Sequence, residues 1–316
     1  MATLNLPRLW DQFLDAAKST TVKGIDRSQR KRLCKAALKL SDMLVDNGFI
    51  YEDRYEIWIE WLAKLSSILE VDDDFIQKKT GGTSIGSVCV VQYNGMQRRL
   101  FIKSHQRGPR SDCISIASRY NSTNRPFSQE IYVYQLLAMI NVGGRCHFPV
   151  PLTTTKKALY IATEQIIFTL GKKLRTVNTK AVVLIDFLQF VLHLSDIGSN
   201  GGNFGQTAEG NPIIVDFWVI TKESYEYSNT EIDEFWNVSH HCDSRMIADV
   251  LKKQTSVERK NIIKEAVEEW SLIEKLDEAK SAVEKLVNRN GGRLEISGDL
   301  IRYARDVKLN VQKLIK

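Results

Sequence analysis

The chain lacks most of what would mark a secreted or membrane-spanning protein. Its five cysteines (Cys34, Cys89, Cys113, Cys146 and Cys242) are odd in number, widely scattered and form no C-x-x-C pair. That pattern implies reduced thiols rather than a disulfide framework. No stretch approaches the roughly 18 consecutive apolar residues that a membrane span needs. The first residues, Met1-Ala2-Thr3-Leu4-Asn5-Leu6-Pro7-Arg8, show no long apolar core followed by a small-residue cleavage site, so a cytoplasmic location and no membrane partner are expected. Asn121-Ser122-Thr123 and Asn237-Val238-Ser239 fit the glycosylation pattern, but without a secretion signal they carry little weight. There is no internal repeat and no long low-complexity tract.

What is present is enough for a sizeable core. The 316 residues are 43% hydrophobic, which fits one large domain or two smaller ones. A net charge of +6 is mild. Basic residues are spread along the chain, with modest clusters at Arg27–Lys35 and Arg107–Arg110. A phosphate-binding site accounts for this balance as well as nucleic acid does, and a nucleic-acid partner is not expected.

The first 70 residues read as helical. Leu9, Trp10, Phe13, Leu14 and Ala17 recur at helical spacing. Ser28 is placed to cap a second helix that stops at Asn47-Gly48, and a third carries Ile57, Trp58, Trp61, Leu62, Leu65 and Leu69. The acidic triplet Asp72-Asp73-Asp74 marks a boundary, after which the pattern turns to strands. Ser87 to Tyr93 is β-branched, Asn94-Gly95 is a strong hairpin signal, and Arg98 to Ser104 returns as a strand with Lys103 inside it. Residues 107–125 are polar and irregular. A helix follows from Pro126, then a strand from Ala158 to Thr163 and a helix from Thr179 to Leu194. After Trp218, helices are expected over about 244–254, 256–273, 275–289 and 297–315.

The most informative stretch runs from His193 to Trp218, H-L-S-D-I-G-S-N-G-G-N-F-G-Q-T-A-E-G-N-P-I-I-V-D-F-W. A helix-like run ends in a Gly/Asn-rich loop. A short strand, a turn at Glu209-Gly210-Asn211-Pro212 and an apolar strand follow, and that strand stops at Asp216. Such a hairpin can bring Asp196, Asn203 and Asp216 together. Carboxylate and amide oxygens are the ligands a hard cation such as Mg2+ takes.

Further pieces lie in order upstream. Gly81, Thr83, Gly86 and Val88 stand at the positions of G-x-G-x-x-G-x-V, with Thr for the middle glycine and Gly82 beside it. Glycines between two strands let backbone N–H groups approach phosphates closely. Lys103 lies 15 residues beyond Val88 in Phe101-Ile102-Lys103, Glu130 sits on the next helix, and Leu159 to Glu164 reads as a strand running into a hinge. Asn203 precedes Asp216 by 13 residues. This ordered set resembles the protein-kinase-like superfamily over residues 75 to about 220. The resemblance implies an α+β, bilobal fold with an antiparallel five-stranded N-lobe and a mainly helical C-lobe. The expected division is 1–72 as a helical N-terminal extension, 73–166 as the N-lobe and 167–316 as the C-lobe.

The resemblance also implies roles. ATP and Mg2+ are the implied cofactors, with Gly81, Gly82, Thr83, Gly86 and Val88 at the phosphates, Lys103 on the α- and β-phosphates held by Glu130, and Glu164 near adenine. Asn203 and Asp216 would hold the metal, and Asp196 would orient or deprotonate an attacking hydroxyl. The chain departs from the protein-kinase pattern in several places. Asp196 precedes Asn203 by seven positions rather than five, His193 lies three before Asp196 rather than two, Trp218 replaces the glycine of D-F-G, and no A-P-E follows. The loop is similar to the D-x-H-x-G-N form of aminoglycoside phosphotransferases with two residues inserted and Gly198 where His would stand. The expectation is therefore a divergent phosphotransferase acting on a hydroxyl of a protein or small molecule. The alternatives are a nucleotide-binding pseudokinase and, beyond it, a helical interaction protein. His240-His241-Cys242-Asp243 offers adjacent ligands but no second half of a coordination shell.

Overall fold

The structure is a computed structural model. It describes residues 5–20, 22, 24–47, 49, 54, 57–58, 61, 76–78, 84–93, 96–107, 125–148, 159–173, 178–197, 201–237, 245–291 and 294–316. The chain is α+β with small antiparallel sheets and many helices. It divides into two compact units, residues 1–126, 146–165 and 287–296 in the first and 127–145, 166–286 and 297–316 in the second. No helix among the described residues is long and apolar enough to cross a membrane.

In the first unit, α1 (Leu6–Ser19) starts at Asn5, whose side chain accepts from the Arg8 N–H, and carries Pro7 in its first turn, where a missing N–H costs nothing. Its stripe of Leu9, Trp10, Phe13 and Ala17 is buried and packs on α2 (Arg27–Asp46), which buries Cys34, Ala37 and Leu44. The expected third helix falls mostly outside the described residues. Trp58 and Trp61 are helical and buried, and the Trp58 indole donates to Ser41 Oγ at 2.6 Å.

The sheet of this unit has five strands: β1 (Ile76–Lys78), β2 (Ser84–Tyr93), β3 (Met96–Arg107), β4 (Cys146–His147) and β5 (Tyr160–Glu164). Their order is β1-β2-β3-β5-β4, every neighbouring pair antiparallel. β2 and β3 pair up to Tyr93↔Met96, with two residues between them in the chain, the register a two-residue Asn-Gly connection sets.

The second unit is built around α4 (Thr179–Val191), preceded by α3 (Ser128–Met139). Every residue of α4 from Ala181 to Val191 is buried, the mark of a helix enclosed on all sides. Asn178 caps it, accepting from the N–H groups of Lys180 at 2.8 Å and Ala181 at 3.4 Å. The strands β6 (Thr169–Leu170), β8 (Phe204–Gln206) and β9 (Pro212–Ile214) form a three-stranded sheet, and β7 (Leu194–Ser195) pairs with β10 (Trp218–Val219). Gly205 on β8 has no room for a Cβ, which would meet the Thr169 carbonyl oxygen of β6.

Among the described residues, five helices follow along the chain: α5 (Asn229–Trp236), α6 (Arg245–Leu251), α7 (Ser256–Glu269), α8 (Leu272–Asn290), whose last residues belong to the first unit, and α9 (Leu300–Ile315). Ser228 with Glu231 and Thr255 with Glu258 form capping boxes at α5 and α7. The break expected at residue 274, between the second and third of the four C-terminal helices expected from sequence, lies at Trp270-Ser271, where Ser271 adopts φ 47° and its carbonyl accepts from Glu274 and Lys275. No glycine or proline announces that break.

Candidate functional site

The His193–Trp218 stretch folds back on itself in the second unit. α4 ends at Val191 with Leu192 as its C-cap, and the chain turns through His193 at φ 52° into β7. β7 leads to Asp196 at φ 65°. β8 and β9 form the hairpin, with Phe204↔Ile214, Gly205↔Ile213 and Gln206↔Pro212 opposite one another. Asn203 stands just before β8, and Asp216 follows β9 at φ 50°. β10 then returns to pair with β7, Trp218 opposite Ser195 and Val219 opposite Leu194.

The two ends of the hairpin meet at Asn203. Its side-chain nitrogen donates to the Asp196 carbonyl at 2.8 Å, to Asp196 Oδ2 at 3.3 Å and to the Asp216 carbonyl at 2.7 Å. The Val215 N–H donates to the Asn203 carbonyl at 2.7 Å. All partners of the side-chain nitrogen are acceptors, which fixes the orientation of the amide: nitrogen toward the two aspartates, Oδ1 left as its acceptor end. Asn203 is buried, Asp216 half-buried and Asp196 exposed. The structure thus brings together the three oxygen-bearing residues singled out from sequence. Two carboxylates and an amide oxygen are a donor set that fits Mg2+ with substrate oxygens and water completing the shell. Among the described residues no group of three His, Cys, Asp or Glu side chains is placed to hold a metal by itself.

Three left-handed non-glycine residues, His193, Asp196 and Asp216, fall within this one constellation. Each costs on the order of 1–2 kcal/mol unless Asn or Asp softens it, and such conformations cluster where surrounding contacts over-determine them. Phe217, next to Asp216, is fully buried and packs on Tyr134 of α3 with ring centroids 4.5 Å apart. Glu130, one helical turn before Tyr134, is buried on the same helix.

The remaining predicted residues fall in two groups. On the first unit's sheet, Lys103 of β3 has Gly86 of β2 and Ile161 of β5 as its register partners, and Val88 faces Phe101 and Gln77. Glu164 ends β5, and its Oε1 lies 3.3 Å from His147 Nε2 of the neighbouring strand. Gly81, Gly82, Thr83, Gly198 and the His240–Asp243 run lie outside the described residues.

Sequence reasoning used His193 only for its spacing, and the structure gives its ring a place. Nε2 lies 2.8 Å from the Tyr225 carbonyl and Nδ1 2.9 Å from the Tyr227 hydroxyl. The carbonyl can only accept, so Nε2 carries the proton, and Nδ1 of the neutral ring shares the one Tyr227 hydroxyl proton with the Phe190 carbonyl, 3.1 Å from the same oxygen. Burial, with the Lys222 charge nearby, pushes the imidazole down to about 4. Seven residues upstream on α4, burial pushes the Asp186 carboxyl up to about 7, opposed by the charge of Arg259. Arg259 in turn donates to the Phe235 and Trp236 carbonyls at the end of α5. The signal for these was in the sequence only as polar residues within apolar stripes. No protein-family model and no curated protein matches the chain.

Proposed function

We propose that the chain is an ATP- and Mg2+-dependent phosphotransferase acting on a hydroxyl group of a protein or small molecule, in a bilobal protein-kinase-like fold. The observation that carries this reading is the Asn203 side chain, donating at once to Asp196 and to the Asp216 carbonyl at 2.7–2.8 Å. It ties a candidate base, a candidate metal amide and a candidate metal carboxylate into one rigid corner. Phosphoryl transfer asks a protein mainly for positioning and charge neutralisation, and this corner is suited to both. Asn203 Oδ1 and the Asp216 carboxylate would hold Mg2+, which neutralises charge on the phosphates. Asp196 would orient the acceptor hydroxyl and take its proton. Lys103, Glu130, Glu164, Gly86, Val88 and the 81–83 loop keep the nucleotide-contact roles that the resemblance implies. The five-stranded antiparallel sheet and the packing of Phe217 on the helix that bears Glu130 support the same reading.

The test is a thermal-shift titration with ATP and Mg2+ on the wild type and on Asp216→Asn. Asparagine is the right replacement, because Asp216 is left-handed and alanine would add strain of its own. Ligand at 100 times its Kd stabilises the native state by about 2.7 kcal/mol. A metal-dependent shift lost in Asp216→Asn supports the site, and a phosphate-transfer assay on Asp196→Asn then separates an enzyme from a pseudokinase, which binds without turnover. No shift at millimolar nucleotide refutes both.

A further inference from the structure

α9 makes more polar contacts with the site's supporting layer than packing requires. Asp306 and Asn310 sit one turn apart on its buried face, 1% and 0% exposed. Apolar residues there would pack without the cost of desolvation. Their partners are the irregular segment 225–227. The Tyr225 N–H donates to Asp306 Oδ2 at 3.3 Å, the Tyr227 N–H donates to Asn310 Oδ1 at 2.9 Å, and Asn310 Nδ2 donates to the Tyr225 carbonyl at 2.7 Å. Lys313 Nζ donates to the Tyr227 carbonyl at 2.6 Å. One turn earlier, the Tyr303 hydroxyl donates to the Leu192 carbonyl at 2.7 Å, at the residue before His193.

Segment 225–227 is what grips His193. The Tyr225 carbonyl accepts from His193 Nε2 as well as from Asn310, so both its lone pairs are used. The Tyr227 ring stacks on the imidazole at 4.6 Å while its hydroxyl reaches Nδ1. His193 is left-handed, and its carbonyl accepts from the Ile220 N–H at 2.9 Å, just past β10. Only β7 separates His193 from Asp196, itself left-handed.

We infer that Asp306 and Asn310 of α9 are positioning residues of the site, acting through segment 225–227 and the His193 ring to fix the pose of Asp196. The catalytic part of this inference rests on the phosphotransferase reading; the positioning part does not. A helix more than 100 residues downstream of Asp196 thereby sets the geometry of the corner.

The experiment compares wild type with Tyr227→Phe, which keeps the stacked ring and deletes one hydroxyl, and with Asn310→Ala. Two readouts are taken. The first is the NMR position of the Asn203 side-chain amide and the Asp196 backbone amide, with the Glu209 amide at the hairpin tip as control. Both site signals are expected to move in each variant while Glu209 stays. The second is Mg2+-dependent hydrolysis of ATP, with water standing in for the hydroxyl acceptor. A fall in kcat of about ten- to a hundredfold is expected, the size of a small misplacement of a reacting group, with KM for ATP within about twofold of wild type. If Asn310→Ala does not fold, Asn310→Asp takes its place, keeping the acceptor for the Tyr227 N–H and deleting the donor to the Tyr225 carbonyl. Unmoved Asn203 and Asp196 signals overturn the inference whatever the activity. Moved signals with unchanged kcat overturn its catalytic part. If wild type neither binds nor hydrolyses ATP, the phosphotransferase reading and the catalytic part fall together, while the amide signals still decide the positioning.

Discussion

Asn203→Asp exchanges the donor at the centre of the corner for an acceptor of nearly the same shape. In the wild type, the side-chain nitrogen makes two short bonds to carbonyl oxygens, at 2.8 and 2.7 Å, and a longer one to Asp196 Oδ2. A hydrogen bond of this kind is worth about 1 kcal/mol net, so losing both short bonds costs about 2 kcal/mol. An ionised carboxylate there also faces two carbonyl dipoles and the Asp196 charge. Exposure of Asp196 keeps that repulsion to about 1–2 kcal/mol, well under the low-dielectric limit. The introduced carboxyl therefore has a folded-state pKa raised above its ordinary value. Its protonated form regains one donor. The sign follows: between the unfolded and folded pKa values the native state holds the extra proton, so the variant loses stability as pH rises. We expect a loss of about 1 kcal/mol at pH 4.5, growing to about 3 kcal/mol at pH 8, relative to wild type at each pH. Asn203→Ala is the control, costing about 2 kcal/mol at both. Urea midpoints by tryptophan fluorescence, without nucleotide or metal, measure this. Millimolar Mg2+ should recover part of the loss at pH 8, because a cation relieves the repulsion. Equal losses for the two variants at both pH values would refute the assigned donor role of Asn203.

Four further outcomes follow from the same contacts. Gly205→Ala forces a Cβ onto the Thr169 carbonyl, backbone that cannot swing aside, and the Phe168 ring at 2.7 Å; thermal denaturation should show a loss of about 2 kcal/mol or more. Tyr132 is fully buried, and its hydroxyl has no hydrogen-bond partner among the described residues; Tyr132→Phe should therefore stabilise by about 1 kcal/mol in urea titration. His193 is held near 4 against an ordinary 6.5, so the unfolded chain takes up its proton first. The stability it contributes is complete above about pH 6.5 and is lost as pH falls toward 4, roughly 3 kcal/mol at most; His193→Asn, which tolerates the left-handed backbone, should abolish that acid-side slope. Asp186 has the opposite sign. Its folded carboxyl is raised from 3.8 to about 7, so it lowers stability as pH rises from about 4 to 7, and Asp186→Asn should steepen the net acid-side loss that remains from His193.

The parts of this protein that sequence made legible are those whose cause is local. The α1 stripe, the Asn94-Gly95 hairpin register, the turn at Glu209–Pro212 and the approach of Asn203 to Asp196 and Asp216 all depend on spacing within a few tens of residues. The break at Trp270-Ser271 falls earlier than the residue types indicate because nothing in them forbids a continuous helix there; it is held by hydrogen bonds to the Ser271 carbonyl. The support beneath the site was hidden for a related reason. Asp306 and Asn310 interrupt an apolar stripe of Tyr303, Val307, Val311 and Leu314, and that interruption can be read as a buried polar demand. The partner cannot. It is the main chain of Tyr225 and Tyr227, more than 80 residues away, and a backbone amide is the same at every position of the sequence. A buried polar residue on an apolar face thus announces that irregular backbone packs against it, without saying which. Here that backbone is the segment that grips His193. The polar interruptions of α9 therefore count as part of the candidate site, although no spacing rule joins them to Asp196.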